Sequence, residues 1–195
     1  MTAQRYQAIF DWFRARPAAL RALGYAQKIS VLGVYLVYGT VLAVTLWQRN
    51  GQFWRVLAVP AAVYVLGTLL RAAINRPRPY EALNFTPLFP KDTKGQSMPS
   101  RHCFSAAAIM VAAFTVWVPL GVAACLLAAV VAVTRVLTGV HYPSDVLAGL
   151  AFGAGAAVIG FLLCHEDDNC ETIQKNNCCC GSCRNTGPAP ERVQL

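Results

Sequence analysis

Three short polar clusters interrupt the apolar runs of this chain between residues 71 and 145. They read Arg71-Ala-Ala-Ile-Asn-Arg-Pro-Arg78-Pro79, then Pro99-Ser100-Arg101-His102, then Thr134-Arg135 with His141-Tyr-Pro-Ser-Asp145. Together they supply several arginines, two histidines and one aspartate. The guanidinium group presents a planar fork of donors that matches phosphate oxygens, so the clusters predict an anion site.

Four arginines are predicted to surround the anion, and Ser100 with the backbone N–H groups of the helix that starts there would add donors. Each arginine alone is explained equally well as an interfacial charge that snorkels toward water. All four together with two histidines favour a functional site, because ionisable groups inside membrane proteins are costly. The four are Arg71, Arg78, Arg101 and Arg135.

The remaining polar residues have the types that phosphoryl-transfer chemistry needs. His141 and Asp145 lie four positions apart at the start of a helix, where the carboxylate can accept a hydrogen bond from one ring nitrogen and leave the other as a nucleophile. His102 can protonate a leaving oxygen as general acid. Asp145 alone would also suit a helix start, and a lone histidine is more often an interfacial hydrogen bonder. The combination predicts hydrolysis of a phosphomonoester or diphosphate.

Composition indicates how these groups are positioned. The chain has 195 residues, of which 56% are hydrophobic and 13% charged, with a mean hydropathy of +0.43. A soluble domain carries about a quarter charged residues. We therefore predict an all-α, integral-membrane helical bundle of about five transmembrane helices plus an N-terminal amphipathic helix. The predicted spans are 29–48, 53–73, 101–118, 120–138 and 143–164.

Segments outside the spans have their own character. Residues 1–28 are predicted to form an amphipathic segment at the membrane surface, bent near Pro17, without a cleavable signal peptide. Residues 29–164 form the membrane domain, and 165–195 a polar, cysteine-rich tail. Because the loops 75–98 and 139–144 must lie on the same side of the membrane, all three polar clusters are expected at one membrane face.

The net charge of +8 is attributed to membrane topology rather than to nucleic-acid binding. Five of these charges precede the first predicted span: Arg5, Arg14, Arg16, Arg21 and Lys28. The positive-inside rule would place this region in the cytoplasm. With five spans, the face that carries the clusters would then be cytoplasmic too.

The three clusters resemble the three-part signature of the type-2 phosphatidic acid phosphatase superfamily. That signature is Lys-x6-Arg-Pro, Pro-Ser-Gly-His and Ser-Arg-x5-His-x3-Asp, and this sequence has the same order and spacings over residues 71–145. The resemblance implies a metal-independent phosphatase without a cofactor, acting through a phosphohistidine. His141 would be the nucleophile, Asp145 its orienting partner and His102 the acid. The implied phosphate ligands are Arg71, Arg78, Ser100 and Arg135.

The sequence departs from that signature at three positions. Arg71 stands in place of lysine and keeps the charge, and Thr134 stands in place of serine and keeps the hydroxyl group. Arg101 stands in place of glycine and adds bulk and charge. It would strengthen the phosphate clamp or shape the substrate preference.

The resulting prediction is a lipid phosphatase of the cell membrane. Its substrate would be phosphatidic acid, phosphatidylglycerol phosphate or a polyprenyl diphosphate, entering sideways between helices from the bilayer. The family's lipid phosphatases usually act on the outer face, which conflicts with the charge rule.

Vanadium-dependent haloperoxidases share the signature but are larger soluble proteins. A non-enzymatic anion-binding or metal-handling membrane protein is the alternative. The sequence does not indicate an oligomeric state.

Six of the eight cysteines lie at or after Cys164. Cys180 and Cys183 have metal-ligand spacing, and His165 and Cys170 are candidates to join them. Lipidation, disulfides or a tail without an assigned function explain the same residues. No metal ligand is therefore predicted.

Overall fold

The computed structural model describes residues 2–49, 51–90 and 93–179, with side chains described as far as Cys164. Every regular element in these residues is an α-helix, which confirms the predicted all-α class. The helices are α1 (Ala3–Arg14), α2 (Pro17–Trp47), α3 (Gln52–Ile74), α4 (Pro79–Ala82), α5 (Arg101–Val116), α6 (Val118–Leu137) and α7 (Pro143–Cys179). Met1–Phe161 is one compact unit that contains all three clusters, and Leu162–Leu195 is a second.

Among the described residues, four helical segments are long and apolar enough to cross a membrane, which makes this a multi-pass membrane protein. They are α2, Gln52–Ala82, α6 and Pro143–Cys164. The remaining predicted span, 101–118, corresponds to α5, which has 16 residues. At the rise of an α-helix it is about 24 Å long, shorter than a hydrocarbon core of about 30 Å.

The short helix α5 is the most enclosed one, with eight buried residues. Five of these are alanines, whose small side chains let neighbouring backbones approach closely. The longer helices leave large apolar side chains exposed, as lipid-facing helices do. The sequence therefore makes α5 the axis around which the other helices pack.

Helix boundaries differ from the predicted spans mainly at the ends of the chain. α2 starts at Pro17, twelve residues before the predicted span, and its 31 residues extend to about 46 Å. The boundary predicted at residue 28 falls inside this continuous helix. Because α2 is longer than the hydrocarbon core, the charged residues near its start lie beyond the core. α7 likewise continues past Cys164 to Cys179. Cys180 and Cys183 lie outside the described residues.

Two glycines bring the start of α7 against the start of α5. A Cβ atom at Gly153 would lie 2.2 Å from the carbonyl oxygen of Phe104, and one at Gly149 would lie 2.9 Å from that of Ser100. Only glycine permits this approach at either position. Gly155, on the same helix, meets nothing within 4 Å. The contact lets the Ser100 N–H donate to the carbonyl oxygen of Asp145 at 3.0 Å, which joins the second and third clusters.

Candidate active site

Three of the predicted phosphate ligands are arginines buried at one end of the bundle. Arg71 lies in the last turn of α3, Arg78 directly precedes α4, and Arg135 lies in the last turn of α6. Their exposed fractions are 7%, 2% and 4%. Cations that are buried together repel one another and lose hydration, so this arrangement favours an anion among them. Ser100, also buried, precedes α5 at the same end.

A loop that crosses the site fixes Arg78. Its Nε donates to the carbonyl oxygen of Gly95 at 3.0 Å. The backbone N–H groups of Arg78 and Gly95 both donate to one carboxylate oxygen of Glu81, at 2.9 and 2.8 Å. These bonds tie the loop to the short helix α4, so the guanidinium group is held in place before any ligand arrives.

Two buried guanidinium atoms keep open donors. Among the described residues, Arg78 Nη1 and Arg135 Nε have no hydrogen-bond partner. An unsatisfied buried donor costs free energy that a ligand oxygen would recover. The open donors therefore mark where an anion such as phosphate fits.

His141 is buried in the loop between α6 and α7, with 2% of its surface exposed. Its Nδ1 lies 2.8 Å from the carbonyl oxygen of Ser97. A carbonyl only accepts hydrogen bonds, so Nδ1 carries the proton and Nε2 keeps its lone pair. Burial, and then the positive charges of Arg78 and Arg71, lower the pKa of His141 well below its ordinary value. The ring is therefore neutral at pH 7, as a nucleophile requires.

The predicted hydrogen bond between Asp145 and His141 is wrong. Asp145 Oδ2 lies 3.9 Å from His141 Nδ1, beyond hydrogen-bond distance, because the Ser97 carbonyl already occupies that nitrogen. Oδ2 instead accepts from Ser97 Oγ at 2.5 Å and from the Tyr142 N–H at 3.1 Å. Asp145 thus contacts the histidine's partner rather than the histidine.

Sequence reasoning missed two residues of this network, Ser97 and Arg76. Arg76 Nη1 lies 2.7 Å from Asp145 Oδ1. Arg76 lies inside the first cluster, but at one of the six positions that the signature leaves unspecified. Ser97 lies in a loop, and no pattern in the sequence distinguishes it from neighbouring polar residues.

Comparison with known proteins identifies the family of the chain. The sequence model of the PAP2 superfamily matches residues 52–168. The chain belongs to the PAP2 superfamily. It is 42% identical over 160 residues to a lipid A 1-phosphatase from Rhizobium johnstonii, a match that covers 76% of this chain and 57% of that protein. The chain thus spans little more than half the length of this relative.

A second PAP2-type relative is the decaprenylphosphoryl-5-phosphoribose phosphatase of Mycobacterium tuberculosis. It is 35% identical over 132 residues, which cover 64% of this chain and 68% of the relative. Two crystal structures share the fold. LpxE of Aquifex aeolicus has a TM-score of 0.63 at 23% identity, covering 82% of this chain and 94% of that one. A transmembrane PAP2-type phosphatidylglycerolphosphate phosphatase from Bacillus subtilis has a TM-score of 0.59 at 19% identity, covering 85% and 88%.

A cavity of mixed lining lies beside the second cluster of the PAP2 signature. Arg101 and His102, in the first turn of α5, line it together with apolar residues such as Val34 and Ile109. A second, mostly apolar cavity shares four of the lining residues and extends along α2 and α3 to Pro60. The shared residues are Tyr35, Tyr64, Ser105 and Ile109. The polar residues at the start of α5 therefore adjoin an apolar groove between helices.

Helix α1, which precedes the segment matched by the PAP2 model, packs on the loop that holds His141. Tyr6 is fully buried, and its hydroxyl donates to the carbonyl oxygen of His141 at 3.3 Å. Burial first, and then Tyr142 and Asp145, raise the pKa of Tyr6 to about 12, so it remains a donor. Phe10 packs on Phe85 and against Gly139. The predicted amphipathic helix is thus also a support for the loop.

Metal binding was left open for the tail. Among the side chains that the structure describes, which end at Cys164, no group of three or more His, Cys, Asp or Glu residues could hold a metal ion. The side chains of the candidates His165, Cys170, Cys180 and Cys183 lie outside this part of the chain. The proposal below therefore uses only the side chains of the site.

Proposed function

We propose that this PAP2 protein is a lipid phosphatase of the cell membrane that hydrolyses a phosphomonoester or diphosphate head group through a phosphohistidine. One observation carries the proposal: His141 is buried, neutral and oriented, and it lies close to arginines that keep open donors. A binding site alone would not need Nε2 of His141 to be unprotonated. A nucleophile does.

The reaction would proceed in two displacements. Arg71, Arg78, Arg135 and Ser100 hold the phosphoryl oxygens, and Nε2 of His141 attacks phosphorus. The bond from phosphorus to the lipid oxygen breaks while His102 gives that oxygen its proton. A water molecule then attacks the phosphohistidine and loses its proton to His102. Inorganic phosphate leaves, and both histidines return to their starting states. Hydrogen-bond donors held in fixed positions would stabilise the transferred phosphoryl group.

The cavity beside His102 supports a lipid as the substrate. Arg101 and His102 line this cavity, and the mostly apolar cavity that adjoins it suits an acyl or prenyl chain. Candidate substrates are phosphatidic acid, phosphatidylglycerol phosphate and a polyprenyl diphosphate. The names of the two relatives add lipid A 1-phosphate and a decaprenylphosphoryl phosphoribose. Arg101 beside the cavity would influence the choice among these head groups.

Phosphate release tests the proposal. The purified protein in detergent micelles, with excess chelator, would be given each candidate lipid in turn. We expect chelator-resistant turnover on at least one lipid, and His141→Ala should lower it by a factor on the order of 10⁴ or more, because the nucleophile is removed. Radiolabelled substrate should leave an acid-labile, base-stable label on the parent protein.

The result that would contradict the proposal is equally specific. If the parent releases no phosphate from any lipid and still binds inorganic phosphate as tightly as His141→Ala does, the site is a binding site. Turnover that survives in His141→Ala would remove the histidine from the mechanism.

A further inference from the structure

Arg76 lies inside the first cluster but is not one of the residues that the three-part signature assigns to phosphate. Its Nη1 lies 2.7 Å from Asp145 Oδ1 and 3.1 Å from Ser144 Oγ. Its guanidinium carbon lies 4.6 Å from the centroid of the Tyr142 ring. The side chain therefore spans three of the four residues that follow His141, and its charge is opposite the fully buried carboxylate of Asp145.

Arg76 also holds Ser97 through its backbone. The Ser97 N–H donates to the carbonyl oxygen of Arg76 at 2.8 Å. Ser97 Oγ donates to Asp145 Oδ2, the other oxygen of the carboxylate that Arg76 binds. Ser97 is thus fixed at both its N–H and its hydroxyl group, and its carbonyl oxygen is left to accept from Nδ1 of His141 at 2.8 Å.

We propose that Arg76 is a positioning residue that holds Asp145 and Ser97 so that the Ser97 carbonyl keeps His141 in its nucleophilic tautomer. The catalytic part of this inference rests on the proposed phosphatase function. The role in orienting His141 does not, because it concerns the protein before any substrate is bound.

The contacts separate Arg76 from the arginines proposed to hold phosphate. Arg78 and Arg135 are buried and keep open donors. Arg76 already pairs with a carboxylate, and 37% of its side chain is exposed. If Arg76 were lost, Asp145 would be a buried carboxylate without its cationic partner. The carboxylate would then no longer be held where it accepts from Ser97 Oγ.

Kinetics of Arg76→Gln and Arg76→Lys test this role. We expect Arg76→Gln to lower kcat by about 100-fold, as misplaced catalytic groups do, while KM and inhibition by inorganic phosphate change less than threefold. Arg76→Lys keeps the charge and should recover at least a tenth of the parent kcat. Arg71→Gln should behave differently. Because Arg71 is proposed to bind phosphate, its loss should weaken inhibition by inorganic phosphate.

A double substitution tests whether Arg76 acts through Asp145. Arg76→Gln combined with Asp145→Asn should be no slower than Asp145→Asn alone, since both break the same link. Arg14→Gln is the matched control. Arg14 lies 3.9 Å from Asp11 in an exposed ion pair away from the site, and its loss should leave kcat unchanged. Multiplicative loss in the double variant would overturn the proposal.

Nitrogen NMR of ¹⁵N-histidine protein provides a readout that needs no turnover. The chain has three histidines, so His141 is assigned by its absence from the His141→Ala spectrum. We expect the parent His141 to show a protonated Nδ1 and an unprotonated Nε2, and Arg76→Gln to show mixed tautomers. An unchanged tautomer in Arg76→Gln overturns the positioning role, even where the parent hydrolyses no lipid. If the parent shows no turnover but Arg76→Gln changes the tautomer of His141 as expected, only the phosphatase function is rejected.

Discussion

The arginines near His141 are held in two opposite ways. Arg78 and Arg135, together with Arg71, form a cradle of buried cations in which two donor atoms lack partners within the described residues. Arg76 on the other side belongs to a clamp, defined as Arg76, Asp145 and Ser97, whose members bind one another. Under the proposed function, the difference indicates two tasks. The cradle would be completed by an incoming anion, whereas the clamp would fix His141 before substrate arrives.

The largest effect is expected at the cradle. Arg135→Gln should lower kcat/KM by about 10²- to 10³-fold, because one donor to the transferred phosphoryl is lost. Inorganic phosphate should raise the melting temperature of the parent but not of the variant. Without phosphate, the variant should melt no lower than the parent, since a buried cation has been removed. Thermal melts with and without phosphate check this, and a destabilised variant that still responds to phosphate would mean that the cradle is structural.

An intermediate effect is expected where helix α1 supports the loop that holds His141. Gly139 has a φ of +73°, and a Cβ atom there would lie 2.5 Å from Cζ of Phe10. Gly139→Ala should strain the loop by about 1 kcal/mol or more and displace His141, so we expect kcat to fall by about tenfold. Inhibition by phosphate should persist, because no cradle residue is touched.

Partial rescue distinguishes the two causes of that strain. Adding Phe10→Ala to Gly139→Ala removes the clash with the ring but not the unfavourable φ, so about half of the lost activation free energy should return. Initial rates of the two variants provide the comparison. If Gly139→Ala is as active as the parent, the contact between α1 and the loop has no bearing on catalysis.

The smallest effect concerns pH and follows from the neutral state of His141. Because burial, Arg78 and Arg71 lower its pKa in the folded protein, the unfolded chain binds a proton that the folded chain excludes. The stabilising contribution of His141 is therefore present above its ordinary value of 6.5 and is lost as the pH falls toward the lowered value. The melting temperature should drop between pH 7 and pH 5, and it should drop less in His141→Gln. If the melting temperature falls equally in both proteins, a group other than His141 takes up the proton.

Sequence reasoning predicted the meeting of the three clusters because it depends only on helices that alternate in direction. It also located the break between α5 and α6, where Trp117 is extended and Pro119 follows. The direct bond from Asp145 to His141 was wrong because a helical spacing of four cannot reveal that a distant carbonyl, that of Ser97, takes the ring nitrogen. The sequence did not show that the boundary predicted at residue 28 falls inside one continuous helix, because the uncharged run that marks the span begins only after Lys28.

The contact between Tyr6 and the carbonyl of His141 places helix α1 and the candidate site at the same membrane face. Under the proposed function, the direction in which α2 inserts would then decide which leaflet supplies the substrate, with no change in the contacts of the site. The accessibility of a label on α1 from either side of the membrane would therefore show which pool of lipids the proposed phosphatase can reach.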